Sequence, residues 1–363
     1  MKRFLALCTF LALSLLAVPA QAAAAYESGP GWLEFSAQKG PGNGKHVVLL
    51  AGDEEYRSEE SMSMLARLLS ERHGFKCTVL FAHDNGVINP NNTASLGKPE
   101  ALDSADALVL GLRFRKWNPE ILAKFDAALK RGVPIVATRT STHAFSGIPK
   151  DSPQAWYNWG NQGGFGRKVL GESWVNHWGS HKNEATRTAV EAANASPPVL
   201  NGVGVIFGDT DVYEARPLED AKVLLRGLVL KGMKPDDEPS TNRKKRKDGV
   251  EQGVNDPAMA VAWVREYANE AGTKNRILTT TMASASDLRD ESLRRLVVNG
   301  VFWGLNLEVP AKADVTPVVE WKPSRYSFNA FHKGLQAKDF AEVLPEPVPV
   351  PEPKKAEPKK KAK

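Results

Sequence analysis

Residues 45–51, with the sequence KHVVLLA, decide the fold. The apolar run is continuous rather than alternating, which is typical of a strand buried on both faces of a parallel sheet. The next segment carries helix signals, because Ser58 is a suitable N-cap and Gly74 can end the helix. We therefore predict a strand followed by a helix at the start of an α/β domain.

The same rhythm continues along the next hundred residues. Apolar runs at 76–82, 107–111 and 133–138 predict three more strands, and Asn118 followed by Pro119 predicts a helix start before the last of them. Strands that alternate with helices form parallel sheets with helices on both faces. The predicted fold class is therefore α/β, with a doubly wound and mostly parallel sheet.

The N-terminus has the pattern of an export signal. Lys2 and Arg3 precede an apolar run at 4–18, and residues 19–22 offer a small-residue cleavage site. The run is short for a membrane span, although an uncleaved anchor is the alternative. We expect residues 1–25 to be a signal peptide, and the mature chain to be exported to the periplasm or the exterior without a membrane span.

The rest of the chain divides into four predicted segments. Residues 26–44 are a Gly/Pro-rich leader, 45–310 are the α/β domain, 311–340 are a C-terminal extension and 341–363 are a disordered Pro/Lys-rich tail. The mature chain would keep only Cys77, so no internal disulfide can form. The fold therefore rests on its apolar core.

The positive net charge is peripheral. Of the net +6, Lys2 and Arg3 contribute +2, the loop 243–247 contributes +5 and the tail 341–363 contributes +2, so the remaining residues carry −3. Nucleic-acid recognition needs a clustered basic face. We therefore expect no nucleic-acid partner for the folded part, and the sequence indicates no oligomeric state.

Candidate site residues follow from strand direction, since ligands bind beyond the carboxyl ends of the strands in open α/β sheets. His143 is the predicted acid–base group, because its reference pKa lies near neutral pH, and Arg139 is predicted to hold an anion or a carbonyl. The alternatives are a His143 that bonds the loop backbone and an Arg139 that pairs with the acidic first loop. The side chains at this edge suit a polar, hydroxyl-rich small molecule. These side chains are Asp53, Glu54, Glu55, Tyr56, Arg57, Arg113, Arg115, Trp117, Arg139, Ser141, Thr142 and His143.

A second histidine pair raises the question of a metal. His177 and His181 are four residues apart, a spacing that places two ligands on one face of a helix. Gly179 lies between them, and a third ligand would have to come from Glu184 or His143. A divalent metal is thus the one cofactor that the sequence indicates, and a pair of polar loop histidines is the alternative.

Several motifs occur in a fixed order between residues 45 and 307. They include 132–145 (GVPIVATRTSTHAF), 171–177 (GESWVNH) and 211–214 (DVYE). In this order the chain resembles the trehalose-utilisation, or ThuA-like, family. The resemblance implies the flavodoxin-like fold of the class I glutamine amidotransferase-like superfamily and a role in sugar metabolism, with oxidised (keto) disaccharides as the substrate class.

We therefore expect an exported ThuA-like domain that binds or acts on a carbohydrate, with His143, Arg139 and His177 as catalytic groups. One candidate step is enolisation beside a keto group, which needs a base and a cation near the enolate oxygen. The first loop and the segment 281–284 lack histidines that the family often carries, which favours the alternative of a non-catalytic sugar-binding module. A third alternative is an envelope scaffold that uses the tail and the loop 243–247 as contacts. The residues expected to bind the ligand are Asp53, Glu55, Arg113, Trp117, Trp174 and Glu214.

Overall fold

The computed structural model describes residues 25–194, 197–342 and 345–349. The predicted signal peptide lies almost entirely outside these residues, and so does most of the predicted tail. Within the described ranges, no helix combines the length and apolar character needed to cross a membrane.

The described chain forms three α-helices and fifteen strands. The helices are α1 (Ser58–His73), α2 (Pro119–Lys130) and α3 (Glu291–Gly304). The strands in chain order are β1 (Tyr26–Gly29), β2 (Trp32–Phe35), β3 (His46–Gly52), β4 (Lys76–Phe81), β5 (His83–Asp84), β6 (Val87–Ile88), β7 (Ala107–Leu112), β8 (Ile135–Thr138), β9 (Thr186–Val190), β10 (Phe207–Gly208), β11 (Lys222–Val229), β12 (Arg243–Lys245), β13 (Glu251–Gly253), β14 (Met259–Ala268) and β15 (Lys274–Thr280).

Eleven strands form one mixed sheet, in the order β1-β2-β4-β3-β7-β8-β15-β14-β11-β9-β10. The five strands from β4 to β15 pair in parallel, and every other pair is antiparallel. The α/β class is confirmed, but the prediction of a mostly parallel sheet is wrong. The physical reason is the short turn between β14 and β15, which reverses the chain directly and therefore pairs these strands antiparallel.

The predicted leader at 26–44 belongs partly to the sheet. Its strands β1 and β2 form a hairpin around Gly31, whose positive φ of 71° suits a tight turn, and β2 pairs with β4. Leu33 and Phe35 are buried while their neighbours in β2 are half-buried. This alternation is the period of a strand with one covered face, a signal that the Gly/Pro content of the segment obscures.

The stretch 45–51 forms β3, and every residue of this strand is buried. Val47 and Leu49 share a core cluster with residues of α1 and α3, whereas Val48 and Leu50 share a different cluster with residues of α2. Successive side chains of a strand point to opposite faces. The continuous apolar run therefore has apolar neighbours on each side, as the sequence predicts.

The extension 311–340 is packed on the start of α1. Ser324 donates its backbone N–H to Glu60 Oε2 over 2.8 Å, and His332 Nε2 lies 3.0 Å from Glu60 Oε1. Tyr326 is fully buried. The extension thus becomes part of the folded body close to the carboxyl end of β3.

Candidate functional site

The loops after β3, β7 and β8 meet at the carboxyl edge of the parallel strands. Thr140 donates its hydroxyl to the carboxylate of Asp53, which joins the third loop to the first. Phe114 donates its backbone N–H to the carbonyl of His143 over 3.1 Å, which joins the second loop to the third. The structure therefore assembles the edge that strand direction predicts, and we call this region the rim.

Arg139 lies at the centre of the rim and is almost completely buried. Its Nη1 donates to the carbonyls of Asp211 and Thr281, both at 2.7 Å, and its Nη2 donates to Asp211 Oδ1 at 3.0 Å and to the Tyr56 hydroxyl at 3.1 Å. The guanidinium carbon lies 3.8 Å from the ring centre of Tyr213. Contrary to the expectation that Arg139 clamps a ligand, both Nη atoms serve protein groups.

The backbone of Arg139 is also unusual, because its φ is +39° in the turn that follows β8. Left-handed backbone is uncommon for residues other than glycine and persists only where the surroundings enforce it. The four hydrogen bonds of the guanidinium supply that enforcement. Arg139 therefore positions the residues around it, and Asp211 is its principal partner.

Asp211 connects Arg139 to two histidines. His177 donates from Nδ1 to Asp211 Oδ2 over 2.7 Å, and the Nδ1 atom of His181 lies 3.0 Å from Asp211 Oδ1. Burial opposes the charge of Asp211, but Arg139 and the two imidazoles hold the pKa of the carboxyl well below its usual range. The side chain of His177 is 37% exposed, so an imidazole tied to a buried carboxylate through Nδ1 presents Nε2 to the rim.

His181 bridges two acidic side chains. Its Nε2 lies 3.2 Å from Glu55 Oε1, on the opposite side of the ring from Asp211. Burial disfavours a charged imidazole, but the contacts with Asp211 and Glu55 raise the pKa of His181 above its ordinary value. The raised pKa favours the cationic form of His181, which lies between the carboxyl groups of Asp211 and Glu55.

The predicted metal ligands are arranged differently from the expectation. His177 and His181 lie in a loop rather than on a helix, and Glu184 instead accepts the backbone N–H of Ser180 over 2.7 Å. The third group beside the histidines is Asp211, and ligand atoms of these three residues lie within 4.8 Å of one another. The trio has a suitable donor set for a divalent cation, but the charge of Arg139 opposes a cation at Asp211.

A wall of rings surrounds His143. Its ring centre lies 4.9 Å from that of Phe114, 5.4 Å from that of Trp174 and 6.4 Å from that of Tyr213. His143 is only 4% exposed. Burial, reinforced by the charge of Arg113, holds the pKa of His143 well below its ordinary value, so its imidazole is neutral. Trp174 continues the wall to His177, with ring centres 5.8 Å apart.

Unpaired polar atoms collect in this region. Most buried polar atoms in proteins have a hydrogen-bond partner, but in the described part of the chain several buried atoms of the rim and its adjoining segments have neither a hydrogen-bond nor an ion-pair partner. These atoms include Arg139 Nε, Trp174 Nε1, Asn176 Oδ1 and Thr281 Oγ1. Such a concentration is expected where a polar ligand or bound water completes the hydrogen bonding.

Trp117 lies apart from the ring wall, and its predicted role in ligand binding stays a prediction. Its indole packs against Phe125 and Phe145, with ring centres 5.7 Å and 5.3 Å away. It is buried in the core cluster that includes α2. Together with Pro119 and Leu122, it lines part of a cavity of about 530 Å³.

Asp53 and Glu214, two further predicted ligand residues, are occupied by the backbone. Asp53 Oδ1 accepts the N–H groups of Glu55 and Tyr56 at 2.8 Å and 3.1 Å. Glu214 Oε1 accepts the N–H of Lys247 at 3.0 Å. These contacts shape the first loop and anchor the basic loop 243–247, and a role of the two carboxylates in ligand binding stays a prediction.

Sequence reasoning missed three residues of the site. Asp211 and Tyr213 occur in the motif DVYE, but nothing in the sequence marks Asp211 as the partner of Arg139. Tyr326 comes from the extension and stacks on Tyr56 with ring centres 5.0 Å apart. A single sequence carries no signal for such distant pairings, because they depend on how the loops meet in space.

No protein-family model matches the chain, and no curated protein sequence matches it. Among solved structures, it is similar to a thua-like protein from Bacteroides uniformis ATCC 8492, with a TM-score of 0.44, 14% identity and coverage of 74% of this chain and 93% of that one. A thua-like protein from Parabacteroides merdae ATCC 43184 gives a TM-score of 0.44, 13% identity and coverage of 82% and 99%. The mmIFT52 N-terminal domain gives a TM-score of 0.36 and 10% identity, with coverage of 72% of this chain and 97% of that one. Similarities this distant carry no argument about chemistry, which rests on the site itself.

Proposed function

We propose that the protein binds a carbohydrate at the rim and exchanges a proton with it, with His177 as the acid–base group. The observation that carries this proposal is the contact of 2.7 Å between His177 Nδ1 and the buried carboxylate of Asp211. A carboxylate that accepts from Nδ1 fixes the tautomer and leaves Nε2 as the proton acceptor. His177 thereby replaces the more enclosed His143 as the principal candidate.

The reaction that fits these groups best is enolisation of a keto sugar. His177 Nε2 would take the proton from the carbon beside the carbonyl, and the electron pair of that C–H bond would form the enolate. The developing negative charge on oxygen needs a fixed donor. The indole N–H of Trp174 is buried beside His177 and has no hydrogen-bond partner within the described ranges, so it is our candidate for this donor.

The surroundings of His177 support a sugar as the ligand. The rings of Trp174 and Tyr213 lie within 6 Å of the His177 ring, at 5.8 Å and 5.5 Å. Of these two rings, Trp174 is half-buried, whereas Tyr213 is buried with the Arg139 guanidinium over its ring. The ring of Trp174 therefore suits the apolar face of a sugar ring, while unpaired polar atoms serve hydroxyl groups. This combination supports a hydroxyl-rich ligand better than an apolar one.

We also propose that the chain is an exported member of the ThuA-like family with a flavodoxin-like core. The support consists of the motif order in the sequence, the signal-like N-terminus and the parallel order β4-β3-β7-β8-β15. The separate clusters that α1 and α2 form with alternate side chains of β3 support helices on both faces.

A non-catalytic sugar-binding module is the second candidate. The observation that favours it is Arg139, whose Nη atoms are engaged by protein groups and so provide no free clamp for an enolate. A divalent metal held by His177, His181 and Asp211 is a third arrangement of the same groups. The guanidinium of Arg139 at 3.0 Å from Asp211 opposes a bound cation, so proton chemistry is our preferred assignment.

The experiment compares wild type with His177→Gln in two measurements. Thermal unfolding is followed with sugars and 3-keto sugars, since a ligand of the native state raises the melting temperature. Deuterium uptake beside the keto group is followed by NMR in D2O. His73→Gln is the matched control, because His73 ends α1 away from the rim.

We expect keto sugars to stabilise all three proteins and deuterium uptake to be lost only in His177→Gln. Stabilisation without uptake in wild type would establish the binding module instead. If no sugar shifts the melting temperature, the carbohydrate proposal is wrong.

A further inference from the structure

Residues 324–328, which we call the C-terminal strap, cross the first loop of the rim. Ser327 donates its N–H to the carbonyl of Glu55 over 3.0 Å, and its own carbonyl accepts from Arg57 Nη2 over 2.7 Å. Tyr326 stacks on Tyr56 and donates its hydroxyl to the carbonyl of Asp209 over 2.9 Å. The strap is therefore held at several points.

Phe328 differs sharply from the rest of the strap. Ser324 and Tyr326 are fully buried, whereas Phe328 is 52% exposed. The chain turns directly after it, since Ala330 donates its N–H to the carbonyl of Ser327 and Asn329 has a positive φ of 58°. The ring is thus presented to solvent from an anchored backbone. An exposed ring alone is unremarkable, so its neighbours decide the interpretation.

Those neighbours connect Phe328 to the rim. The Arg113 guanidinium carbon lies 5.2 Å from the Phe328 ring centre and 4.8 Å from the Phe114 ring centre. Arg113 also forms an ion pair with Glu54. Phe114 is in turn the neighbour of His143 in the ring wall. A continuous row of rings and planar charged groups therefore leads from the site to an exposed phenyl ring.

We infer that Phe328, Arg113 and Glu54 form a second subsite, which binds a second sugar ring or a ring-shaped aglycone of the ligand. A flat ring beside paired guanidinium and carboxylate groups offers stacking and hydroxyl recognition together. This inference rests on the proposed function, because it extends the same ligand outward along the rim. Residues of the C-terminal extension, rather than of the parallel core, would then determine how long a ligand the site accepts.

The test uses calorimetric titration with matched pairs of probes. Each pair consists of the methyl glycoside of one sugar, glucose or galactose, and a disaccharide that ends in that same sugar. Both members of a pair are used in the unmodified and in the 3-keto form. We expect wild type to bind the disaccharide about twofold to tenfold more tightly than its methyl glycoside. Phe328→Ala should remove that advantage without weakening the methyl glycoside, and Phe328→Trp should retain it.

Tyr26→Ala is the control, since Tyr26 is an exposed aromatic residue on the edge strand β1. It should leave both affinities unchanged. An unchanged disaccharide advantage in Phe328→Ala, or equal weakening of both probes, would overturn the second subsite while leaving the proposed function intact. If wild type binds none of the probes, both the second subsite and the proposed function are overturned.

Discussion

Two clusters of aromatic rings contain similar residues but differ in what surrounds them. The apolar ring cluster consists of Trp117, Phe125, Phe145, Tyr157 and Phe165. The rim ring cluster consists of Phe114, His143, Trp174, His177 and Tyr213. In the apolar cluster, rings contact mainly other rings, and the Tyr157 hydroxyl is satisfied by Asp126 at 2.8 Å. In the rim cluster, rings contact imidazoles and a guanidinium group.

The difference shows how one residue type can serve stability or chemistry. Among the described residues, neither Trp117 nor Trp174 has a hydrogen-bond partner for its indole N–H, but of the two only Trp174 lies beside the half-exposed His177. Burial of rings among rings stabilises the fold through area removed from water. Burial of rings around Asp211 instead lowers the local dielectric constant, which strengthens the charge interactions there.

The largest effect is expected for Asp211→Asn, which removes the charge that Arg139 and His181 share. A buried cation that loses its partner costs about 3–5 kcal/mol of unfolding free energy. Urea unfolding at pH 7 measures this loss. The exposed carboxylate of Asp248, which pairs with Arg216 and Arg246, is the control, and Asp248→Asn should cost less than about 1 kcal/mol. Equal losses in the two variants would contradict the special role of the rim network.

Trp117→Ala should destabilise the protein by about 3 kcal/mol through loss of packing in the apolar ring cluster. This value is at the lower end for such a truncation, because the adjoining cavity lets solvent reach the vacated space. Sugar affinity, measured by calorimetry, should not change. A loss of sugar affinity in a variant that remains folded would return Trp117 to the site.

Trp174→Phe keeps a ring in the rim cluster but removes its unpaired N–H. Loss of one hydrogen bond to a ligand corresponds to about 1 kcal/mol, or roughly a fivefold weaker affinity. Stability should stay constant, since the N–H has no partner to lose in the part of the chain that the structure describes. Unchanged affinity and turnover in Trp174→Phe would remove the indole N–H from the proposed mechanism.

Asp209→Asn tests the carboxyl of Asp209, the residue whose backbone carbonyl accepts the Tyr326 hydroxyl. Burial and the charge of Asp287 raise the pKa of Asp209 from 3.8 to about 7. A raised carboxyl pKa means that the folded state resists ionisation, so this group lowers stability as the pH rises from about 4 to 7. Asp209→Asn should therefore raise the melting temperature more at pH 8 than at pH 4. A gain at pH 4 equal to that at pH 8 would contradict the titration of Asp209.

The smallest effect is expected from metal addition. If the cluster of Asp211, Glu55, Arg139 and His181 is already balanced in charge, Zn²⁺ or Co²⁺ should not raise the melting temperature. A rise of several degrees that disappears in His181→Gln would assign the trio of His177, His181 and Asp211 to a metal instead.

The sequence predicts the central strands well because their signals are local. A continuous apolar run such as 45–51 has few alternatives to a buried strand, and strand direction then brings Asp53, Arg113 and His143 to one edge. The antiparallel part of the sheet cannot be predicted in this way, because the direction of pairing depends on which strand lies beside which. The local pattern of a strand such as β14 does not specify its neighbouring strands.

The chemistry of the rim was harder to predict because its partners are distant in sequence. Arg139 and Asp211 are far apart along the chain, and Tyr326 comes from the extension to stack on Tyr56. Whether a side chain faces the core or the site also depends on tertiary packing, so the sequence alone does not distinguish Trp117 from Trp174. A single sequence locates candidate loops, whereas the pairing of charges decides which loop residue is presented to a ligand.

The central claim is that Asp211 holds His177 in one tautomer, with the proton on Nδ1 and a free Nε2. Nitrogen-15 NMR of the histidine-labelled protein at pH 8 tests this directly, with His177→Gln used to assign the signal. We predict a protonated Nδ1 and an unprotonated Nε2 for His177, and loss of this preference in Asp211→Asn. A proton on Nε2 in wild type would contradict the account, because His177 could then not accept a proton from a ligand at the rim.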